Sequence, residues 1–401
     1  MTKDEFIKLQ QPEITEIINS NLNVNPSEFA LRYSNNKNLP VRAIAEQIKL
    51  KQKASEKFPE LSKTDIIYEQ KLFEQASSEY TAQYKQEIAR GIKGLDLTGG
   101  MGIDSIYISQ NFKEFYYCEK DELAAGILSY NCRKLNISNI KIFNGNSIGF
   151  LENFKDNYFD LIYADPDRRA GGIRSVDIKY CTPDILGNME LFKKKCSQML
   201  IKLSPAFDFA ECMRIFPDMT QFIVVSVKNE CKEVLVKFDF KNSDSKTVKA
   251  VIINENGKKE FEKETGKKYS KIISTPRKYF YEPDSAIIKA GLSDKIADGY
   301  KMNFLKNETD YISSDIFEES FPGRKFTVIH SGNFKQDIIK NYLESNGIKK
   351  ANIARRAFPG TPEEIKKKLK ISDGGSEYLF FTKNNEGKLI FIHCRKNIFE
   401  K

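Results

Sequence analysis

The sequence predicts an α/β protein built on a doubly wound parallel sheet, with a helical region before it and small α/β modules after it. From residue 94 to about residue 265, short apolar runs alternate with helical patterns, as parallel strands and crossover helices do. A glycine-rich turn follows the first of these runs. With 401 residues, the chain has room for two or three domains.

The first 75 residues are predicted to be helical. Asn25-Pro26-Ser27-Glu28 supplies an N-cap, a proline at the first helical position and an acid two positions later. Further helical spacing of apolar residues runs over 41–61 and over 68–90.

The sheet is predicted to occupy residues 76–265. A hairpin over 247–262, with Glu255-Asn256-Gly257 as its turn, would supply an antiparallel edge. Helices at Ile103–Gln110 and Glu122–Leu135 separate early strands. The predicted strands are Gly94–Leu97, Glu114–Cys118, Ile140–Phe143, Phe159–Ala164, Met199–Leu203 and Gln221–Val227.

Two small modules are expected after the sheet, over 266–323 and 324–401. The basic stretch 266–277 suggests a linker, and a helix is expected over 283–297. The last module is predicted as strand 325–330, helix 335–345, strand 351–358, helix 362–369 and two further strands.

Composition limits the function classes. Lys and Arg number 64 against 55 Asp and Glu, a net charge of +9 that suits a polyanionic partner without requiring one, since 51 of the 64 are lysines. Seven scattered cysteines without a C-x-x-C, and only two histidines, argue against a metal site or a disulfide framework. The polar start and the lack of a long apolar run predict a cytoplasmic protein with no membrane partner.

The clearest chemical motif is the segment from Asp96 through Thr98-Gly99-Gly100 to Gly102, a strand that runs into a glycine turn at a helix start. Glycines let a ligand approach the backbone closely. The third glycine of a dinucleotide fingerprint is replaced by Ser105. Asp96 suits an amine-bearing ligand and is unfavourable beside a pyrophosphate.

Polar groups also follow the next three predicted strands. Glu119 ends the second, Asn144-Gly145-Asn146 the third and Asp165-Pro166-Asp167-Arg168-Arg169 the fourth. Doubly wound sheets bind ligands at the carboxyl ends of their strands. Each group alone fits a cap or turn, but the ordered set predicts a nucleotide-type site.

These motifs resemble those of class I S-adenosylmethionine (SAM)-dependent methyltransferases with a Rossmann-like fold. Ser77-Ser78-Glu79-x-Thr81-Ala82-x-x-Lys85, the double-arginine form after Asp165-Pro166, and Lys202-Leu203-Ser204-Pro205 resemble a Bacteroidetes-type family in more detail. That family carries a ferredoxin-like insert and a C-terminal THUMP-like domain. The resemblance extends to Tyr281-Glu282-Pro283-Asp284 and Phe321-Pro322-Gly323-Arg324.

The resemblance implies SAM as the cofactor. The glycine turn would hold its methionine end with Asp96 near the amino group, Glu119 would bind the ribose hydroxyls, and Asn146 would meet the adenine where the family usually has Asp. Ser78 and Glu79 would close over the cofactor, or else cap the following helix. The implied cofactor-binding residues are Ser78, Glu79, Asp96, Thr98, Gly99, Gly100, Gly102, Asp104, Glu119, Lys120, Asn146, Ser147 and Asp165.

The implied catalytic residues are Asp165, Pro166, Asp167 and Arg168. Asp165 would orient or deprotonate the acceptor, while Arg168 and Arg169 would clamp a phosphate or carboxylate, or else pair with Asp167 or Asp177. Asp167 and Arg168 replace the proline and aromatic residue of base-amine methyltransferases. The strand-end cysteine of pyrimidine C5 methyltransferases is missing from Leu203-Ser204-Pro205, and Cys181 is a weak alternative nucleophile.

RNA, either tRNA or rRNA, is the expected substrate. THUMP-like modules are associated with RNA, and the last module carries Lys349-Lys350, Arg355-Arg356 and Lys366-Lys367-Lys368 near Phe358. The lysine run also fits a solvated helix face. The alternatives are a protein or small-molecule methyltransferase, and a non-catalytic RNA-binding protein with a vestigial SAM pocket.

Overall fold

The computed structural model describes residues 1–167, 178–242 and 245–396, with the backbone alone at 169–170 and 173–174. The chain divides into two compact units, one of 1–222 with 232–245 and one of 223–231 with 246–401. The expected limits at residues 75, 265 and 323 stay predictions. Among these described residues, no helix combines the length and apolar character needed to cross a membrane.

The first unit begins with six helices that form the predicted helical region. Asn25 caps α3 by accepting from the Ser27 N–H, as its sequence predicts. The region expected to form one helix over 68–90 is two helices, because the backbone is extended at Ala76 and Ser78. The helices are α1 Lys3–Leu9, α2 Pro12–Ser20, α3 Pro26–Arg32, α4 Val41–Lys57, α5 Gln70–Gln75 and α6 Glu79–Ile88.

These helices pack on the sheet domain through an apolar core. Phe6 and Ile44 are buried together with Ile127 and Tyr130, which belong to a later helix, α8. The buried Asn131 of α8 fixes the connection, since its side chain bonds both the N–H and the carbonyl of Ile67. The helical region is therefore anchored beside the sheet.

The sheet of the first unit has the strand order β9-β7-β4-β1-β2-β3. Strands β1 to β4 and β7 pair in parallel, and β9 pairs with β7 in the antiparallel sense. The order reverses beside β1, which is the switch point where such sheets bind ligands. The strands of this sheet are β1 Lys93–Asp96, β2 Glu114–Glu119, β3 Ile140–Asn144, β4 Phe159–Ala164, β7 Cys196–Leu203 and β9 Glu230–Asp239. The short strands β5 Arg169–Ala170 and β6 Ile173–Arg174 pair with each other, and β8 Gln221–Val227 belongs mostly to the second unit.

Helices alternate with these strands, which completes the doubly wound pattern. They are α7 Ile103–Ile108, α8 Glu122–Lys134, α9 Ser147–Glu152, α10 Met189–Lys195 and α11 Phe209–Ile215. Strand β9 is missing from the sequence prediction. Its first half reads Glu-Cys-Lys-Glu, and these charges hide the apolar run at Val234–Val236.

The second unit contains β8, the hairpin β10–β11 and a seven-stranded sheet. The hairpin lies where it is predicted, with Asn254 paired to Gly257. The seven strands follow the order β13-β14-β12-β15-β18-β17-β16. Strands and helices are β10 Thr247–Asn254, β11 Gly257–Glu264, β12 Tyr279–Pro283, α12 Ser285–Lys289, α13 Ser293–Gly299, β13 Asn303–Phe304, β14 Ile312–Ser314, β15 Gly323–Asn333, α14 Gln336–Ser345, β16 Asn352–Arg355, α15 Pro362–Leu369, β17 Glu377–Lys383 and β18 Leu389–Lys396.

Three details of this unit differ from the sequence prediction. The expected helix over 283–297 breaks into α12 and α13 at Gly291, whose φ of +64° ends the first helix. The strand expected over 351–358 ends at Arg355, since Ala357 also has a positive φ. Strands β12, β13 and β14 are not predicted, although β14 pairs with both β12 and β13, and β12 also pairs with β15.

Gly323 permits a close backbone approach between β12 and β15. A Cβ there would lie 2.2 Å from the Glu282 carbonyl oxygen and 2.8 Å from the Pro283 Cα. We expect Gly323→Ala to lower the free energy of unfolding by about 1–3 kcal/mol, because the backbone must move. Gly299→Ala is the matched control, because no atom lies within 4 Å of its added Cβ. Urea unfolding that shows equal stability for both variants would contradict the packing at this crossing.

Candidate active site

A cavity of about 1240 Å³ opens at the carboxyl ends of β1, β2, β3 and β4 in the first unit. Small-molecule sites commonly measure roughly 300–1,000 Å³, so this cavity has room for two ligands side by side. Its described walls are residues 71–72, 74–77, 96–104, 118–121, 145–148, 163, 165–167, 182–184, 188 and 202.

The glycine turn forms one wall of the cavity. Gly100 and Gly102 have φ values of +56° and +80°, which side chains adopt with strain. A Cβ on Gly102 would lie 2.4 Å from a methyl carbon of Leu128, and one on Gly99 would lie 2.2 Å from the Tyr117 ring. The turn therefore needs glycine for its conformation and packing, and it exposes bare backbone to the cavity.

Asp96 stabilises this turn through hydrogen bonds. One carboxylate oxygen accepts from the Thr98 N–H at 2.8 Å and from the Thr98 hydroxyl, and the other accepts from Ser105 at 2.6 Å. Burial raises the pKa of Asp96 to about 7, against the opposing effect of these hydrogen bonds. Both oxygens already have donors from the protein, so the first role of Asp96 is to hold the turn.

Glu119 and Asn146 lie on the cavity wall at the ends of β2 and β3. The carboxylate of Glu119 accepts from the backbone N–H of Gly100 at 2.8 Å and of Asp121 at 2.9 Å. The Asn146 oxygen accepts from the N–H groups of Ile148 and Gly149, so it caps α9. Because that oxygen has two donors already, the expected bond to an adenine amino group has no remaining lone pair at this atom.

Thr98 connects the glycine turn to the end of β4. Its hydroxyl accepts from the Asp165 N–H at 2.7 Å and donates to Asp96. The backbone of Asp165 is therefore fixed relative to the turn. Pro166 is buried and lines the cavity, and Asp167 forms a backbone bridge with Thr182. Thr182, Pro183 and Asp184 also line the cavity, next to this bridge.

Lys202, at the end of β7, forms an ion pair with Asp165. Its ammonium donates to one oxygen of the Asp165 carboxylate. Burial lowers the pKa of Lys202, but the carboxylates of Asp165, Asp104 and Glu233 outweigh burial and raise it. Lys202 therefore stays charged at any physiological pH.

A second, more deeply buried lysine links three elements of the fold. The Lys85 ammonium contacts both Glu233 oxygens at 2.7 and 2.8 Å, and its side chain is fully buried. It also lies 3.1 Å from one oxygen of Asp104, whose other oxygen accepts from Ser77 and Tyr163. Lys85 and Lys202 together face three carboxylates, those of Glu233, Asp104 and Asp165.

Two of the expected cofactor-binding residues do not line the cavity. Ser78 caps α6 by accepting from the Thr81 N–H. Glu79 is fully buried, accepting from the Tyr107 hydroxyl and from the Glu60 N–H. The contact of Ser78 matches the capping alternative, whereas Glu79 connects α6 to the Glu60 backbone and to Tyr107. Ser77, which precedes them, reaches the cavity.

The other predicted site residues fall into two groups, those that line the cavity and those that do not line it or lie outside the described residues. Arg168 and Asp177 lie outside the described residues, and Arg169 is described by its backbone alone. Cys181 is buried and does not belong to the described cavity wall. The structure brings together on that wall Asp96, Thr98, Gly99, Gly100, Gly102, Asp104, Glu119, Lys120, Asn146, Ser147, Asp165, Pro166 and Asp167.

Sequence reasoning gave no functional role to Lys85, Lys202 or Glu233. Both lysines belong to the motifs that carry the family resemblance. The sequence therefore drew attention to their positions, but it did not indicate which carboxylates they contact. Lys85 follows Ala82 by three residues on the buried face of α6, which is unusual for a cation and was a usable signal. Glu233 lies in β9, the strand that the sequence did not predict.

The C-terminal basic clusters have mixed roles in the second unit. Phe358 is a core residue that packs on Phe334 and Phe381, so it is no stacking platform for a base. Arg356 is paired with Glu282. Five exposed lysines have no ion-pair partner among the described residues, namely Lys349, Lys350, Lys367, Lys368 and Lys370.

These lysines lie close together because their segments pair. The Ser372 N–H donates to the Lys349 carbonyl, and the Ala351 N–H donates to the Ser372 carbonyl, both at 3.0 Å. The end of α15 therefore lies beside the start of β16. His393, by contrast, is buried between Tyr342 and Glu377, which is a structural position.

Comparison with known proteins matches both parts of the molecule. A family model described as THUMP domain-like matches residues 323–396. A protein of Porphyromonas gingivalis W83, assigned as a methyltransferase, superposes with a TM-score of 0.83 at 26% identity, over 96% of this chain and 97% of that one. The expected class is confirmed: an α/β protein with a methyltransferase-type doubly wound sheet and a C-terminal THUMP-like domain.

Two further solved structures match smaller parts of the chain. TrmK of M. capricolum, in complex with S-adenosyl-homocysteine, is 13% identical over 41% of this chain and 69% of its own, with a TM-score of 0.32. An rRNA methylase of Streptococcus thermophilus is 14% identical over 40% of this chain and 93% of its own, with a TM-score of 0.30. No curated protein sequence matches the chain.

The buried carboxylate of Asp96 makes stability depend on pH. Its pKa of about 7 in the folded chain exceeds its unfolded value, so folding favours the protonated form. The cost of burying the charge is small below pH ~4, grows as the pH rises and is complete above pH 7. We expect Asp96→Asn to raise Tm relative to the wild type by roughly 2–8 °C at pH 8, with a much smaller difference at pH 5.

Asp239→Asn is the control for this experiment. The pKa of Asp239 is lowered, because hydrogen bonds from the Lys241 and Asn242 N–H groups outweigh its burial. Its Tm difference from the wild type should therefore stay constant between pH 5 and pH 8. A constant difference for Asp96→Asn over the same range, measured by scanning calorimetry, would refute the burial of a charge at this position.

Proposed function

We propose that the protein is a cytoplasmic SAM-dependent methyltransferase that acts on RNA, either tRNA or rRNA. The observation that carries the proposal is the cavity at the switch point of the sheet, with a glycine turn on one wall and Asp165 beside it. Asp165 would orient the methyl acceptor. The THUMP-like match at residues 323–396 supports RNA as the substrate.

The residues of the cavity fit SAM. The glycine turn leaves a cradle that a Cβ would strain or fill, which suits a ligand backbone lying against it. Glu119 offers carboxylate oxygens at the end of β2, where nucleotide folds bind ribose hydroxyls. Lys120, Ser147 and the amide nitrogen of Asn146 would complete the nucleoside side, and Asp104 the sulfonium side.

Bound SAM would supply an electrophilic methyl group on a positively charged sulfur. Such a transfer would break the carbon–sulfur bond as the acceptor atom formed its own bond to that carbon, and the positive charge on sulfur would be lost. Alignment therefore supplies most of the rate enhancement. Thr98 fixes Asp165 to the glycine turn by a 2.7 Å hydrogen bond, which supports a role for Asp165 in that alignment.

The exposed lysines of the second unit support RNA binding. Lys349, Lys350, Lys367, Lys368 and Lys370 have no ion-pair partner among the described residues, so their charges are available to phosphates. Lysines contacting a nucleic-acid backbone release counterions, which makes binding strongly dependent on salt.

Transfer assays on total RNA and total protein from the source cell test the reaction. We expect the wild type to label RNA from methyl-labelled SAM, and Asp165→Ala to lower that labelling at least about 100-fold, with SAM affinity changed only a few-fold. Asp156→Ala is the control, because this exposed aspartate contacts Lys195 away from the cavity. Labelling of protein alone, or full activity of Asp165→Ala, would overturn the proposal.

Salt dependence tests the RNA surface separately. Changing Lys349, Lys350, Lys367 and Lys368 to Gln should weaken RNA binding and make the slope of log K against log salt less steep by about 2–3. The control variant changes four exposed lysines of the first unit to Gln, namely Lys8, Lys37, Lys53 and Lys113. Equal slopes for the two variants in filter-binding titrations would count against this surface.

A further inference from the structure

Lys202 has hydrogen-bond donors that its known contacts do not use. An ammonium carries three N–H groups, and among the described residues the Lys202 ammonium donates only to Asp165. Its side chain is only 14% exposed, so bulk water has little access to it. Since Lys202 lines the cavity, its remaining donors are available to a group that enters there.

Asp165 presents the complementary atom beside this cation. Lys202 contacts its Oδ2, while Oδ1 accepts no hydrogen bond from another described residue. The backbone N–H of Asp165 donates to Thr98, which fixes the backbone of this residue, and the ion pair with Lys202 restrains its carboxylate. The cavity therefore holds an acceptor oxygen and a charged donor next to each other, both in fixed positions.

A purely structural role for Lys202 would require buried carboxylates that depend on it. Lys85 already contacts both oxygens of Glu233 and one oxygen of Asp104. The second Asp104 oxygen accepts from Ser77 and Tyr163. The charge of Lys202 also stabilises the ionised forms of these two acids, but among the described residues its ammonium makes its direct contact with Asp165 alone. Its other donors face the cavity, which Lys202 lines.

We propose that Lys202 binds the methyl-acceptor group directly, by donating to an acceptor atom of that group while Asp165 Oδ1 accepts from its neighbouring N–H. The acceptor then carries a hydrogen-bond donor next to a hydrogen-bond acceptor. Within the RNA substrate proposed above, on which this inference rests, that is the Watson–Crick edge of an unpaired nucleobase. The backbone phosphates would bind elsewhere.

The test compares three variants in the labelled-methyl assay on RNA. Lys202→Met keeps the length of the side chain and removes the donors, and we expect kcat/KM for RNA to fall roughly 10- to 100-fold. SAM affinity by calorimetry should stay within about threefold. Lys202→Arg restores charge and donors, so it should recover part of the lost activity.

Lys195→Met is the matched control for burial of a lysine. The Lys195 side chain is 11% exposed, pairs with Asp156 and donates to the Phe154 carbonyl, outside the described cavity wall. This variant should lose stability without a selective loss of transfer. Unchanged kcat/KM in Lys202→Met would overturn the proposal. So would parallel losses of Tm and SAM affinity in Lys202→Met, because they would mark a structural lysine.

Failure of the RNA assignment is a separate outcome. If the wild type labels only the protein pool, RNA as the substrate is wrong, and the same variants are then compared on that pool. An amide side chain also offers a donor next to an acceptor, so a selective loss in Lys202→Met there would support acceptor binding by Lys202. No selective loss on the labelled pool would refute it.

Discussion

The ion pair between Lys85 and Glu233 is the interaction on which the site depends most. Both side chains are buried, and the same ammonium also contacts Asp104 at the start of the helix after the glycine turn. One cation thus connects α6, α7 and β9. Removing one partner of a buried pair leaves an uncompensated charge, at a typical cost of about 3–5 kcal/mol. The helix α6, the helix after the glycine turn and strand β9 are therefore held in one arrangement.

That arrangement fixes Asp165 through two routes. Thr98 joins its backbone to the glycine turn, and Lys202 holds one carboxylate oxygen. The acceptor side of the cavity is thereby positioned relative to the backbone that would hold the cofactor. A displacement reaction gains most from such rigid alignment, because it has few other sources of catalysis. Under the proposed function, the buried charges would therefore serve the alignment of the reactants as well as the stability of the fold.

The sequence predicted the apolar strands of the sheet well, since each is a short apolar run bounded by turn residues. Strands Phe159–Ala164 and Gln221–Val227 have the predicted limits. The sequence prediction failed where tertiary contacts outweigh the local pattern. Strand β9 is an example, because a glutamate such as Glu233 is normally expected on the surface but is buried here. Within the candidate site, the glycine turn could be predicted from the sequence because its backbone conformation requires glycine. The ion pair between Lys85 and Glu233 could not be predicted, because 148 residues separate the two in the sequence.

Calorimetric titration with SAM tests the central claim most directly. The wild type should bind one SAM per chain, and Gly100→Val should lose that binding, because a branched side chain is strained at a φ of +56° and would enter the cavity. Gly149→Ala, on the exposed side of α9, should bind like the wild type. A wild type that gives no binding heat, or a Gly100→Val variant that binds SAM with unchanged affinity, would contradict the assignment of this cavity.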